Sequence, residues 1–438
     1  MRRALLILLL LLCGAGPAQK RLLLQPSYEQ LIRQHGPTLW LDASDPTTIT
    51  ATATAVSQWS DKSGNARHFV QATGANQPSW TRPDGLENRL TYSQDFADAT
   101  WTKGSSSIDA TPATDPLGGS TAYKWIEPDS ASTDHYFQRV DQAYVAGSGI
   151  VISIYAKAAE RTWFRIRFND GATKSAWFDV GNGVVGSVTA GATNSIENAG
   201  GGWYRCIMTI ASVSSSTATG QIGIYGATGD SGLSYAGEVG KGAYFWGFQY
   251  RSSLASSNYL ATTTYPVYRG INGRSAVRFD GAASYMTSAA TTGDVFAAGA
   301  KTQFIVYRSS STGYLFTNAG TARWYGYIDA TPDLNLVNSD GTADLAVSAL
   351  AAHNLSHIGQ ALHSAGNIYA GIDGSLSAAT ASGDTAALTN ALWIGARSDS
   401  SNWYTGDIAE LLTFNKVFPS DVRIKIERGL CRKWGADC

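Results

Sequence analysis

The chain has 438 residues, more than one hydrophobic core of ordinary size organises, so we expect two domains. Its formal net charge at pH 7 is −1, and only 15% of its residues are charged. This composition excludes the basic surface that a nucleic-acid-binding protein presents. The 13 Trp and 21 Tyr residues exceed the needs of two modest cores, which indicates half-exposed sheet faces or a surface on which sugar rings stack.

Residues 1–18 form a signal-like hydrophobic segment. Two arginines precede an apolar run from Ala4 to Leu12, and small residues up to Ala18 provide a site that a signal peptidase reads. The run is too short to span a bilayer comfortably. A cleaved export signal and a retained segment that docks into an assembly both fit this pattern. Residues 19–36 then predict an N-terminal arm or a short amphipathic helix that ends at Gly36.

The next segments predict one β-sandwich that is interrupted by another. Residues 37–86 begin a sandwich, and its continuation resumes at residue 270 and runs to residue 438. Between them, residues 87–269 have a strand pattern of their own, with turn residues between short apolar runs. The predicted fold class is therefore all-β: two antiparallel β-sandwiches (jelly rolls), one inserted in a loop of the other, with a short C-terminal helix.

Strict alternation within the inserted segment predicts two strands that each have an apolar face and a polar face. These strands are TWFRIRFND and KSAWFDVG. Their polar faces carry Trp163, Arg165, Arg167, Trp177 and Asp179. Indole rings stack on pyranose rings, and guanidinium and carboxylate groups hydrogen-bond to sugar hydroxyls. The five residues are therefore the candidate glycan-binding site, although a solvated face or a face covered by a neighbouring subunit explains the same pattern.

The ends of the inserted segment resemble a known domain. The stretches NRLTYSQDFADATW, GGWYRCIMTIA and GKGAYFWGFQYRSSL are similar to the carbohydrate-binding-module-like jelly roll of bacteriophage tail and head fibre proteins. The resemblance covers roughly residues 87–269, and the middle of that range matches only in its strand pattern. It implies a non-catalytic β-sandwich of a kind often assumed to bind glycans.

The flanking segments resemble the laminin-G or concanavalin-A-like lectin/glucanase superfamily. The resemblance rests on LWLDASDP, VSQWSDKSGNARH, GRSAVRFDG, TQFIVYR and the long C-terminal run that starts at LWIGARSDSSNWYTGD. That run predicts a strand, a hairpin, a second strand and a closing helix with Ser420 as its N-cap. Relatives carry acidic residues after the FDG turn, where this chain has Ala282, Ala283 and Ser284. Calcium is therefore not supported by the sequence, because Asp280 alone supplies too few oxygen ligands, and we expect no cofactor.

The residues that could perform catalysis are few. A retaining glycosidase needs two carboxylates about 5 Å apart. The candidate pair is Asp407 and Glu410, whose spacing of three residues sends them to opposite faces of an extended strand. His353 and His357 would share a face of a helix, as zinc ligands do, but their region, with His363, predicts strands. We therefore predict no catalytic residues and assign no metal ligands.

The cysteines fit an exported chain. Cys431 and Cys438 are seven residues apart, close enough to form a disulfide around the end of the closing helix. Two free thiols are the alternative. Cys206, in GWYRCIMTI, is expected to be a small buried hydrophobe on a strand.

Together these features predict a non-enzymatic, glycan-binding adhesion or structural protein, specifically a component of a phage virion such as a tail or head fibre. Its expected partners are a cell-surface polysaccharide or glycan, other virion proteins and further copies of itself, with a trimer as one arrangement, but no nucleic acid. The expected location is the virion or the extracellular space. Two alternatives stay open: a secreted glycan hydrolase or depolymerase, and a purely structural virion decoration protein.

Overall fold

The structure is a computed structural model. It describes residues 27–84, 86–144, 146–214, 219–252, 254, 258–264, 266–291, 295, 299–318, 323–331, 333–339, 343–348, 355–364, 366–381, 391–399 and 401–436. The signal-like segment 1–18 and the first part of the predicted arm therefore lie outside the described residues. Within the described ranges, no helix has the length and apolar character needed to cross a membrane.

Strands dominate the secondary structure, and two α-helices lie near the ends of the described chain. The helices are α1 (Tyr28–His35) and α2 (Ser420–Trp434). The strands are β1 (Leu39–Asp42), β2 (Ile49–Thr52), β3 (Ala55–Trp59), β4 (Phe69–Val70), β5 (Ser79–Trp80), β6 (Thr102–Gly104), β7 (Ser107–Ile108), β8 (Tyr123–Ile126), β9 (Ser130–Thr133), β10 (Tyr136–Ala143), β11 (Ile150–Ala158), β12 (Trp163–Asn169), β13 (Thr173–Asp179), β14 (Val184–Val188), β15 (Ala192–Gly200), β16 (Trp203–Ile210), β17 (Thr219–Ala227), β18 (Tyr235–Gly237), β19 (Gly242–Arg251), β20 (Val277–Asp280), β21 (Met286–Thr291), β22 (Lys301–Ser309), β23 (Gly313–Asn318), β24 (Arg323–Ile328), β25 (Leu334–Ser339), β26 (Ala343–Ser348), β27 (His357–Ser364), β28 (Asn367–Ile372), β29 (Ser375–Leu376), β30 (Thr380–Ala381), β31 (Ala391–Ile394) and β32 (Thr405–Phe414).

The chain divides into two compact units. Of the described residues, those within Met1–Thr50, Val56–Pro78 and Ala276–Cys438 form the host unit, and those within Ala51–Ala55 and Ser79–Ser275 form the inserted unit. The predicted insertion, residues 87–269, lies inside the inserted unit. Residues 79–86 and 270–275, which the sequence pattern places in the other sandwich, also belong to the inserted unit. The reason is local pairing, because Arg82 forms a parallel bridge with Arg269.

The inserted unit is an antiparallel β-sandwich. Sheet I has the strand order β14-β13-β12-β17-β10-β6, and sheet II has the order β15-β16-β11-β19-β8-β7. Alternation directs Phe164, Ile166 and Phe168 of β12 into the core between the sheets, where each side chain is at most 1% exposed. The burial of this apolar face is the main force that holds the two sheets together.

The host unit is a second antiparallel sandwich. In its first layer, β32 pairs with β1 and β20 along one edge and with β22 along the other, and β27 and β28 follow. In its second layer the pairing runs β4-β21-β31-β23-β24-β25-β26. Trp324 of the second layer donates its indole N–H to Gln303 of the first across 3.2 Å. The predicted all-β class with a short C-terminal helix is confirmed.

A buried carboxylate joins both helices to strand β32. One oxygen of Glu410 accepts hydrogen bonds from the Tyr28 hydroxyl at 2.9 Å and the Trp40 indole at 2.8 Å. Its other oxygen accepts from Lys433 at 2.8 Å and the Trp434 indole at 2.7 Å. Both oxygens of Glu410 therefore accept hydrogen bonds inside the unit, and these bonds compensate for the water that a buried carboxylate loses.

The start of helix α2 corrects one expectation. Pro419, not Ser420, occupies the N-cap position, and no side chain caps the helix. Ser420 is the first helical residue. Proline is tolerated at the start of a helix because it has no N–H that would lack an acceptor there, and Pro419 lies immediately before the first helical residue.

Helix α1 begins with a capping box. The Ser27 hydroxyl accepts from the Gln30 backbone N–H at 3.2 Å, and the Gln30 side chain accepts from the Ser27 N–H at 2.9 Å. We expect Ser27→Ala to lower the free energy of unfolding by about 1 kcal/mol, because one helix N–H loses its acceptor. Urea denaturation measures the loss, with Ser27→Asp as a control that keeps an acceptor. Equal losses in the two variants would contradict the capping role.

Candidate functional site

The five residues predicted to bind glycan share the outer face of sheet I. In the register of β12 against β13, Trp163 lies opposite Asp179 and Arg165 lies opposite Trp177. Arg167 follows two residues after Arg165 on the same face. The strands are therefore neighbours, and the structure brings together the side chains that the alternation pattern singles out.

Three of the five side chains are nevertheless buried. Arg165, Trp177 and Asp179 are only 6%, 5% and 4% exposed. The Trp177 indole donates to the Gly232 carbonyl at 2.8 Å, so the chain around Gly232 covers it. Asp179 accepts from the Asn182 side-chain amide at 2.7 Å and from backbone N–H groups of the turn after β13. These three side chains serve the unit's own structure.

The arginines of this face stack on a tyrosine that the sequence analysis missed. The guanidinium carbons of Arg165 and Arg167 lie 4.9 Å and 5.2 Å from the ring centroid of Tyr225. Tyr136 stacks on the same ring with centroids 4.8 Å apart. Trp163 and Arg167 are half-buried, and glycan binding by this face stays a prediction.

The acidic pair on β32 lies differently from its predicted geometry. The register against β22 shifts by one residue, so that Glu410 lies opposite Val306 and Asp407 lies opposite Arg308. Val306 and Arg308 are two residues apart, so both carboxylates point to one face, because a bulge breaks the alternation assumed for an extended strand. Asp407 is 0% exposed and is paired with Arg308 at 2.8 Å and with Arg278 at 3.2 Å. Both carboxylates are thus occupied by internal partners.

The histidines lie where strands are predicted. His357 and His363 belong to β27, and a ring nitrogen of His357 lies 2.6 Å from a carboxylate oxygen of Asp373. A ring nitrogen of His363 lies 2.8 Å from the Gly299 carbonyl oxygen. His353 lies outside the described residues. Both described histidines therefore have partners within the host unit.

Asp280 organises the turn that follows strand β20. Asp280 accepts hydrogen bonds from the backbone N–H groups of Ala282, Ala283 and Ser284, between 2.9 Å and 3.0 Å, and so stabilises this turn. In the part of the chain that the structure describes, no three histidine, cysteine, aspartate or glutamate side chains form a group able to hold a metal ion.

Of the cysteines, Cys206 is buried and free on β16, as expected, and burial raises the pKa of its thiol well above the ordinary value. Cys431 forms a disulfide. Its predicted partner, Cys438, lies outside the described residues, so this pairing stays a prediction.

A cleft of about 160 Å³ opens on the second layer of the host unit. We call it the tyrosine cleft, and its lining residues are Tyr314, Thr317, Asn318, Tyr325, Arg397, Ser398 and Asp399. It combines two half-exposed rings with hydroxyl, amide, guanidinium and carboxylate groups. A concave, ring-lined site with a few convergent polar groups is the usual form of a small-molecule site.

Strand pairing brings the tyrosines together. In the register of β23 against β24, Tyr314 lies opposite Tyr327, and Tyr325 shares the face of Tyr327 two residues earlier. The ring centroid of Tyr314 lies 5.4 Å from each of the other two centroids. The opposite face of the same strands carries Phe316 and Trp324, which are at most 1% exposed. The core therefore fixes the strands, and their pleat directs the tyrosines outward.

The polar end of the cleft is formed by the turn after β31. The Arg397 backbone N–H donates to the Ser401 carbonyl at 3.0 Å, which closes the turn. The nearest approach between the charges is 3.5 Å, from Arg397 Nε to an Asp399 oxygen. Both side chains are exposed to solvent, at 37% and 53%. The two opposite charges leave the lining of the cleft with no formal net charge.

A group of three further rings lies on the same face of the second layer. Trp393 is opposite Thr317 of the cleft in the register of β31 against β23. Tyr285 stacks on Trp393 with centroids 4.8 Å apart and planes inclined by 16°. The Trp403 ring lies 5.8 Å from Tyr285. All three rings are half-buried, so the aromatic surface extends beyond the cleft itself.

Part of the tyrosine cleft could have been predicted from the sequence. In RWYGYI the tyrosines at 325 and 327 alternate with Trp324, Gly326 and Ile328, so period two predicts one ring-bearing face. Nothing in that alternation shows that Tyr314, on another strand, lies opposite Tyr327, or that the turn at Arg397 closes the same cleft.

This chain is similar to known protein structures only at low sequence identity and low TM-score. Neither a protein-family model nor a curated protein matches this chain. Mouse laminin α1 domains LG4–5 match with 13% identity and a TM-score of 0.29, over 71% of this chain and 94% of theirs. The CBM40 of Ruminococcus gnavus IT-sialidase, bound to α2,3-sialyllactose, matches with 11% identity and a TM-score of 0.28, over 34% of this chain and 95% of its own. The botulinum neurotoxin serotype D binding domain matches with 11% identity and a TM-score of 0.32, over 38% of this chain.

The extent of these matches sets their weight. The chain spans 46% of the neurotoxin binding domain and 27% of a matched NanB chain. TM-scores near 0.3 do not establish a shared fold, so these similarities assign neither a family nor a function. The geometry of the described residues carries the functional argument instead.

Proposed function

We propose that this protein is a non-catalytic glycan-binding protein and that the host unit binds sugar in the tyrosine cleft. The observation that carries the proposal is the juxtaposition, in one cleft, of the Tyr314 and Tyr325 rings with the polar groups of Arg397 and Asp399. A pyranose ring presents apolar C–H groups on its faces and hydroxyl groups at its rim. The cleft offers a matching partner for each.

The size of the cleft indicates how much of a glycan it holds. Pockets for drug-sized ligands have volumes of about 300–1,000 Å³, and the tyrosine cleft has about 160 Å³. It therefore suits one sugar ring at a time, and the rings of Tyr285, Trp393 and Trp403 provide stacking area for neighbouring sugars of a longer chain. Binding of this kind recognises a polysaccharide without cleaving it.

The proposal includes an attachment role. The sequence resemblance of the host segments to laminin-G or concanavalin-A-like lectins, and of the inserted segment to the jelly roll of phage fibre proteins, supports an adhesion protein of a virion or of the extracellular space. In such a role the protein would bind a cell-surface polysaccharide as a homo-oligomer beside other virion proteins. The inserted unit would be a second glycan-binding module, with Trp163 and Arg167 as its contact residues.

Retention on a cell-surface polysaccharide tests the proposal directly. Purified protein is passed over immobilised capsule polysaccharide and lipopolysaccharide, and the same preparations are analysed for released oligosaccharides. Retention without release is the expected result. Release of oligosaccharides would instead establish a hydrolase or depolymerase. Absence of retention, together with co-purification with capsid or tail, would establish a structural decoration protein.

Substitution of the cleft tyrosines separates the two candidate surfaces. We expect Tyr314→Ala and Tyr325→Ala each to weaken binding to a retained polysaccharide by about five- to thirtyfold, because each removes a stacking ring that contributes about 1–2 kcal/mol. Tyr325→Phe is the control that keeps the ring. Affinity is measured by titration calorimetry, with Trp163→Ala as a probe of sheet I. A loss confined to Trp163→Ala would transfer the site to the inserted unit.

A further inference from the structure

Arg397 lines the tyrosine cleft, and its guanidinium group makes one long ion-pair contact among the described residues. Among the described residues, its only ion pair is with Asp399, and that contact is made by Nε at 3.5 Å. The side chain is 37% exposed, so this ion pair is screened by solvent and contributes little. The two terminal nitrogens of a guanidinium form a planar fork that matches the two oxygens of a carboxylate.

Asp399 has acceptor contacts that do not depend on Arg397. One of its oxygens accepts from the Ser401 backbone N–H at 3.2 Å and from the Ser401 hydroxyl at 2.5 Å. The Ser401 hydroxyl is the largest cause that lowers the pKa of Asp399, ahead of the charge of Arg397. Asp399 therefore keeps these two hydrogen bonds if Arg397 turns to another partner.

We propose that the tyrosine cleft selects an acidic sugar and that Arg397 binds the carboxylate of that sugar while the ring stacks on Tyr314 or Tyr325. This inference rests on the proposed glycan-binding function. Arg397 and both tyrosines line the same small cleft, so one sugar ring bound there can contact all three. Because Asp399 cancels the formal charge of Arg397, the cleft favours a singly charged sugar over a run of sulfates, which needs net positive charge.

The test compares acidic glycans with their neutral counterparts. The full chain is titrated with oligosaccharides of hyaluronan, polygalacturonate and alginate, and with the same oligosaccharides after reduction of their carboxyl groups. We expect at least one acidic form to bind roughly ten- to a hundredfold more tightly than its reduced form, the range that a charged hydrogen bond provides. We expect Arg397→Gln to abolish this preference and Arg397→Lys to keep only part of it.

Controls separate the failure of this inference from the failure of the proposed function. Lys425→Gln removes an exposed positive charge from helix α2, in the same unit, and should leave the preference intact. Equal losses in Arg397→Gln and Lys425→Gln would reduce the effect to general charge and overturn the inference. Equal binding of acidic and reduced forms, lost in Tyr325→Ala, would overturn the inference and leave glycan binding in place. If no acidic or reduced oligosaccharide binds and no cell-surface polysaccharide retains the protein, both the inference and the proposed glycan-binding function are overturned.

Discussion

Glu410→Ala is expected to lower the free energy of unfolding of the host unit by about 3–5 kcal/mol, the range observed when one member of a buried charged network is removed. Glu410 is 1% exposed. Its loss leaves the Trp40 and Trp434 indoles without this acceptor and removes one carboxylate partner of Lys433, which also contacts Asp42 at 2.8 Å. Burial is the first cause that raises the pKa of Glu410, and the nearby Asp42 is the second.

The matched control is another glutamate that is paired with a lysine but lies at the surface. Glu29 is 53% exposed and contacts Lys62 at 3.1 Å. We expect Glu29→Ala to cost about 0–1 kcal/mol, as for other exposed pairs. Both variants are compared by urea denaturation followed by tryptophan fluorescence. Similar small losses for Glu410→Ala and Glu29→Ala would contradict the structural role assigned to the buried network.

Arg161→Ala is expected to destabilise the inserted unit by a comparable amount, about 3–5 kcal/mol. Arg161 Nε donates to Glu127 at 2.6 Å, and the Glu127 side chain is 0% exposed. The guanidinium also lies over the ring of Tyr235, 5.0 Å from its centroid. Removal of the arginine leaves a buried carboxylate without its cation, which is costlier than the loss of a surface pair.

Lys241→Ala provides the control for this second variant. Lys241 is 40% exposed and pairs with Glu238, which is 53% exposed, so we expect a loss of no more than about 1 kcal/mol. The comparison uses the same denaturation measurement. An Arg161→Ala variant as stable as Lys241→Ala would show that Glu127 finds other partners when the arginine is absent.

Together the two core variants test whether each unit folds by itself, which the insertion predicts. If the units unfold independently, Glu410→Ala shifts one transition and Arg161→Ala shifts the other, and the double variant shows the sum of the two losses. One transition that both variants shift equally would mean that the chain unfolds as a single cooperative body. Limited proteolysis of each variant identifies which segment is exposed first.

Much of the architecture could be predicted from local patterns. The alternation in TWFRIRFND placed Phe164, Ile166 and Phe168 on one face, and these side chains do lie in the core of the inserted unit. The same pattern placed Arg165 and Trp177 on the opposite face, as observed. Period two is a property of consecutive residues, so the sequence alone is sufficient to assign side chains to faces.

The candidate sites show where such reasoning ends. Alternation cannot show that the chain near Gly232 covers Trp177, because that contact joins residues 55 positions apart. It also assumes regular strands, and the register shift in β32 turned Asp407 and Glu410 to the same face against that assumption. The tyrosine cleft likewise depends on three separate segments that meet only in the folded unit.

The sequence by itself determined that this protein is built of antiparallel strands with a short closing helix, and it determined which side chains share a face of each strand. The tertiary structure alone decided which of those faces stay open. A strand face becomes a site or part of the interior according to the loops and strands that pack on it, and those neighbours come from distant parts of the chain. For this reason the aromatic face of sheet I is largely closed, whereas Tyr314, Tyr325 and Arg397 meet in an open cleft.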